Sequence, residues 1–211
     1  MPADYQKMVA NLLDFYDFSG RTVIDVGAGG GQLVEYGRAA GRVLALDNDR
    51  EALARLRERL KAAGLEDRFR PLLCDFMQAE LAADVVLFEF SLHEMPEPGA
   101  AVERALGMAR DVVVFDHWPG SEWSYIAAEE AKVEASWAAL AGFSVRKTKR
   151  HEDTQVFRDY DELHDRVKGQ GETSRARIAG FRGRSGIRIP MSYGLALIER
   201  APGAKGKGDR T

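Results

Sequence analysis

Apolar positions in this chain fall into two alternating periods. Val9, Leu12, Leu13 and Tyr16 recur at helical spacing, which predicts an amphipathic helix over residues 4–17, stopped at Ser19 and Gly20. Short β-branched or unbroken apolar runs follow at 22–26, 43–46, 69–74, 85–88 and 112–115, interleaved with helix-period stretches at 32–40, 49–63 and 98–109. Val85, Val86, Leu87 and Phe88 show no alternation, so that strand is buried on both faces and central in a parallel sheet. A further helix is predicted over 124–140, with Ile126, Val133, Trp137 and Leu140 on its buried stripe, and a sixth strand begins at 142–145. The last run, 187–198, alternates Ile187, Ile189, Met191, Tyr193, Leu195 and Leu197, as an antiparallel strand beside the fifth would. Strand and helix in turn give an α/β class: a Rossmann-like, doubly wound sheet of seven strands, mostly parallel, with helices on both faces. Residues 1–201 read as a single domain with a leading helix over 1–18 and a helical insertion over 159–183, and residues 202–211 as a disordered Gly- and Lys-rich tail.

Composition narrows the class. Of 211 residues, 45% are hydrophobic and 30% charged, the balance of a globular protein, and no apolar run approaches the ~18 residues of a membrane span. The chain starts without the basic and apolar regions of a signal peptide, and its one cysteine, Cys74, excludes an intrachain disulfide, so a cytoplasmic location is expected. Charge is uneven: residues 1–143 carry 14 Lys and Arg against 24 Asp and Glu, and residues 144–188 carry 12 against 7. The basic stretch, with Arg175, Arg177, Arg182 and Arg184, reads first as solvated helix faces and second as a site for an anionic substrate.

The chemistry starts where the first strand ends. Asp25, Val26, Gly27, Ala28, Gly29, Gly30 and Gly31 form a glycine-dense strand-to-helix turn, where backbone must reach positive φ and a ligand can touch it without meeting a Cβ. A dinucleotide fingerprint starting at Gly27 would need Gly or Ala at position 32, where Gln32 stands. The G-x-G-x-G of Gly27, Gly29 and Gly31 after Asp25 resembles motif I of the class I S-adenosylmethionine-dependent methyltransferases. The alternative reading of such a turn is plain strand-to-helix packing with no ligand. Asp47 lies 20 positions after Gly27 at the second strand's tip, the interval at which a carboxylate accepts from ribose hydroxyls, with Asn48 beside it. Asp75 and Phe76 follow the third strand and resemble the family's adenine-binding position; the bland alternative is a cap for residues 77–79. Glu89 closes the fourth strand and completes the expected cofactor set.

Two further strand tips carry titratable groups. Leu92 and His93 resemble the Leu-His pair of the ubiquinone and menaquinone type of methyltransferase, where His93 is either a base or a structural histidine. Asp116 and His117 end the fifth strand, and neighbouring parallel tips can bring His93, Glu94, Asp116 and His117 together. His93, Glu94 and His117 are the candidate catalytic residues, and no metal ligand is assigned, because no H-x-x-x-H or comparable spacing is present. The resemblance implies S-adenosylmethionine as cofactor and in-line methyl transfer to a small-molecule acceptor. The alternatives are an RNA or protein methyltransferase using the basic insertion, and a non-catalytic protein that binds the cofactor. Nucleic acid and membrane are not the expected partners, and a homodimer stays open.

Overall fold

The computed structural model describes residues 3–199, so the tail expected over 202–211 lies outside the described residues. One seven-stranded sheet runs in the order β3-β2-β1-β4-β5-β7-β6. Its strands are β1 (Thr22–Val26), β2 (Arg42–Asp47), β3 (Phe69–Leu73), β4 (Val85–Glu89), β5 (Asp111–His117), β6 (Val145–Asp159) and β7 (Ser185–Glu199). The first five are parallel, and β7 lies antiparallel between β5 and β6. The order reverses between β1 and β4, the switch point at which open α/β sheets leave a crevice outside the strand ends.

Period-two alternation sorts the strand residues into two cores. Val23, Val43, Leu87 and Val113 face α1 (Tyr5–Phe15) and the stripe Leu53, Leu56 and Leu60 of α2 (Arg50–Ala63). Ile24, Leu44, Val86 and Val112 face Ala101, Val102 and Ala105 of α3 (Pro98–Met108). Asp49 caps α2, accepting from the Glu51 N–H at 2.8 Å, and Gly64 stops it at φ 65°.

Two expected helices form differently. Over 32–40 the chain makes only a 3-10 turn, Val34–Arg38. A Cβ at Gly37 would stand 2.2 Å from the Phe69 ring, so the turn is drawn tight onto the sheet and has no length left for a full helix. The expected helix over 124–140 is broken into α4 (Glu122–Ile126) and α5 (Glu130–Ala139) by a turn in which Ala128 adopts φ 60°. Trp137 then leaves the buried stripe and lies half-buried against Trp118, their rings 4.5 Å apart.

β6 and β7 are 15 residues each, far longer than the parallel strands. β7 pairs with β5 only from Tyr193 to Glu199; its earlier half runs on past the carboxyl end of β5 with β6 as its partner. This ribbon therefore rises above the edge where the parallel strand tips lie. The helices α6 (Tyr160–Val167) and α7 (Glu172–Arg177) join its two strands, in the segment expected as an insertion. The leading helix is tied to the ribbon by the Lys7 ammonium on the Glu152 carbonyl at 2.8 Å and the Asn11 amide on the Tyr193 hydroxyl at 2.7 Å.

Gly194 of β7 makes room for both tryptophans, since a Cβ there would stand 2.3 Å from Trp118 and 2.6 Å from Trp137. In an open strand Gly→Ala is stabilising. Here Gly194→Ala is expected to lower unfolding stability by about 1–3 kcal/mol through overpacking, read from urea denaturation; unchanged or raised stability would contradict the packing described.

Candidate active site

The glycine turn has the positive φ its composition anticipates, 74° at Gly27, 52° at Gly29 and 73° at Gly31. The three glycines do separate work. A Cβ on Gly27 would stand 2.3 Å from Cβ of Ser91, at the tip of β4, and one on Gly31 would stand 2.6 Å from Leu56. A Cβ on Gly29 would meet only ordinary contacts, 3.6 Å from the Gly27 carbonyl and 3.8 Å from Gln32, and Gly29 donates its N–H to Oδ2 of Asp47 at 2.8 Å, while Oδ1 of Asp47 accepts from Asp49 N at 2.8 Å. Each Asp47 oxygen thus holds one backbone N–H and keeps acceptor capacity for a ligand.

Gly27, Asp47, Asn48, Asp75 and Phe76 line one crevice of about 510 Å³. Asp75 also serves the capping role, accepting from Met77 N at 2.8 Å, and Phe76 is buried edge-on against Phe88 at 5.3 Å. Asp25 lies elsewhere. The strand's alternation turns it inward beside Val23, where the Tyr36 hydroxyl donates to Oδ2 at 2.8 Å and Oδ1 has no partner. Burial pushes the Asp25 carboxyl up to about 7. Glu89 is likewise buried and raised, by burial first and then by the Asp25 charge.

Glu89 faces a second cavity of about 240 Å³, which meets the first at Gly27, Phe90 and Glu94. Tyr5 and Met8 of α1, Trp123 of α4, Gln155 and Met191 of the ribbon, and Arg166 of α6 enclose it. Phe90 sits at φ 48°, unusual for a side chain this large, with its ring 4.8 Å from both Phe115 and His117.

The floor of this chamber is organised by Asp116, which is fully buried. Its Oδ1 lies 2.6 Å from Nδ1 of His93 and accepts from His117 N at 2.8 Å; its Oδ2 accepts from His93 N at 2.9 Å. Nε2 of His93 then faces Oε1 of Glu94 at 3.4 Å and Oε2 of Glu129 at 3.8 Å. Burial alone would lower His93, but its hydrogen bonds to Asp116 and Glu94 outweigh this and lift it to about 10. The same contact with His93 holds Glu94 down at about 2, whereas burial raises Glu129. Burial presses His117 down to about 4, and its Nδ1 is unpartnered. The structure thus gathers His93, Glu94 and His117 in one wall and adds Glu129. Its presence there depends on the turn at Ala128, a break no Gly or Pro announces.

The insertion's arginines are partly engaged within the chain. Arg177 makes a bidentate pair with Glu130 at 2.6 and 3.0 Å and lies over the Tyr125 ring, while Arg184 lies over Phe181.

Comparison with known proteins agrees with this geometry. Residues 23–113 match a family model described as a methyltransferase domain. No curated protein matches the chain. A methyltransferase structure from Bacillus halodurans shares 14% identity over 92% of this chain and 98% of its own, with a TM-score of 0.67. Magnesium protoporphyrin IX methyltransferase from Synechocystis, solved with bound S-adenosylmethionine, shares 17% over 93% of this chain and 78% of its own, at 0.57. The [4+2]-cyclase SpnF shares 17% over 92% and 80%, at 0.61, so this fold by itself does not name a reaction. Residues 23–113 thus match a methyltransferase domain, and the fold is that of the solved methyltransferases to which the chain is similar. Among the described residues no helix is long and apolar enough to cross a membrane.

The buried carboxyls give the fold a pH signature. A carboxyl whose folded pKa exceeds its unfolded value keeps its proton longer in the fold, so its stabilising contribution is present below about 4 and drains away as pH climbs through about 7. Asp25→Asn is therefore expected to gain stability relative to the parent between pH 5 and 8, measured by thermal melts; parallel pH profiles would contradict the assignment.

Proposed function

We propose that the protein transfers the sulfonium methyl of S-adenosylmethionine to a small-molecule acceptor bound in the 240 Å³ chamber. The observation that carries this reading is the shared boundary of the two cavities at Gly27, Phe90 and Glu94, which lets one bent ligand lie in both. In this arrangement Asp47 and Asn48 hold the ribose, and Asp75 and Phe76 receive the adenine. The methionyl arm crosses Gly27 in a loop shaped by Gly29 and Gly31, and its ammonium meets Glu89, with Asp25 behind.

The acceptor atom attacks the methyl carbon as the carbon–sulfur bond breaks, and the electron pair returns to sulfur. Such a step draws chiefly on alignment, for which effective molarities supply about 7–11 kcal/mol. A hydroxyl acceptor also gives up a proton in the floor formed by His93, Glu94 and His117. The enclosure by α1, α4, α6 and the ribbon supports a small acceptor, as does the fold neighbour named for a porphyrin substrate. The acidic wall disfavours a polyanion, and the engagement of Arg177 weakens the case for RNA. The single cysteine agrees with a cytoplasmic setting.

Asp47→Ala is expected to weaken S-adenosylhomocysteine binding at least tenfold, about 1.4 kcal/mol, by calorimetry; undiminished binding would remove Asp47 from the site. Screening the protein against hydroxyl, amine and thiol small molecules, with release of S-adenosylhomocysteine as readout, is expected to find turnover that changes little between 50 and 200 mM salt. Turnover only on RNA or protein, with steep salt dependence, would overturn the proposal.

A further inference from the structure

Three side chains in the chamber each expend one heteroatom on an outer partner and turn the other toward a common point. His93 Nδ1 is held by Asp116 at 2.6 Å, Glu94 Oε2 by the Lys132 ammonium at 2.7 Å, and Glu129 Oε1 by the Gln170 amide at 2.9 Å. What remains is His93 Nε2, Glu94 Oε1 and Glu129 Oε2, separated by 3.4 Å and 3.8 Å from Nε2 and all within 4.8 Å of one another. Metal–ligand bonds of about 2.1 Å at tetrahedral or octahedral angles place ligand atoms about 3.0–3.4 Å apart, so a small closure brings this set onto an ion. An imidazole whose far nitrogen is fixed by a carboxylate is also the arrangement that orients histidine for a metal. A second observation points to the same place. His117 is nine-tenths buried, its Nδ1 has no partner, and its ring lies 5.5 Å from that of His93 in the same chamber.

We propose that His93, Glu94 and Glu129 bind one divalent first-row transition ion, with the remaining coordination positions open to the chamber. One imidazole and two carboxylates, without a thiolate, suit Zn²⁺ or Mn²⁺ and give Mg²⁺ no advantage. The ion takes the place of the proton on Nε2. Resting on the methyltransferase reading, the site also narrows the acceptor to one with a metal-binding oxygen. That oxygen loses its proton to water or to His117 on coordination, then forms the bond to methyl as the carbon–sulfur bond breaks.

The test uses the full chain, stripped with chelator and titrated separately with Zn²⁺, Mn²⁺ and Mg²⁺ by calorimetry, with bound metal counted by elemental analysis. One Zn²⁺ or Mn²⁺ per chain is expected, bound at least tenfold more tightly than Mg²⁺. Glu129→Gln keeps an oxygen and the shape of the side chain, and half-exposed Glu94→Gln leaves the fold untouched; each is expected to weaken Zn²⁺ at least tenfold. No bound ion, or equal Zn²⁺ affinity in the parent and both variants, overturns the proposal. S-adenosylhomocysteine titrated into the same samples tests the cofactor reading separately: its failure to bind the parent would sink that reading and leave the metal result standing.

Discussion

Between the tips of β1 and β4 there is no room for a side chain. Ser91 donates to the Val26 carbonyl at 2.6 Å and so draws the two tips together, and a Cβ at position 27 would stand 2.3 Å from its own. That close approach leaves bare backbone at the point where the two cavities meet. A crevice with acceptor oxygens lies on one side and a chamber with titratable groups on the other. The wider fold keeps this point accessible, because the strand order switches there and the tips of β2, β3, β4 and β5 all end on the same edge.

The chamber exists because the last two strands are overlong. An antiparallel β7 of parallel-strand length would stop level with His117, its pairing partner Tyr193 being the last residue opposite β5. Running on to Ser185, it carries Met191 above the edge, and β6 brings Gln155 beside it. α1 is tied across this ribbon through Lys7 and Asn11. Asp116 then makes the floor rigid, since one buried carboxylate fixes both neighbouring tips through three hydrogen bonds.

Much of this was legible in the sequence where one period dominates. The unbroken run of β4 marked the central strand, the alternation of β7 marked an antiparallel one, and the strand tips were found because titratable residues ended apolar runs. What was not legible has physical causes. The turn after Gly31 lost its helix to a contact between Gly37 and Phe69, residues far apart in sequence. The break at Ala128 carries no helix-stopping residue, so the expected helix over 124–140 runs straight through the position of Glu129. Asp25 looked like a tip residue, but it stands two positions before Gly27 and alternation turns it into the interior beside Tyr36. Spacing rules missed the convergence of His93 with Glu129 because its members come from different elements.

The central claim is that one cofactor threads over Gly27 from the crevice into the chamber. A crystal structure with S-adenosylhomocysteine measures this most directly. The account predicts ribose oxygens within hydrogen-bond distance of Asp47 and the sulfur beside Gly27, with the amino acid arm ending near Glu89. Density for the ligand on any other face, or an arm turned away from the chamber, would contradict it.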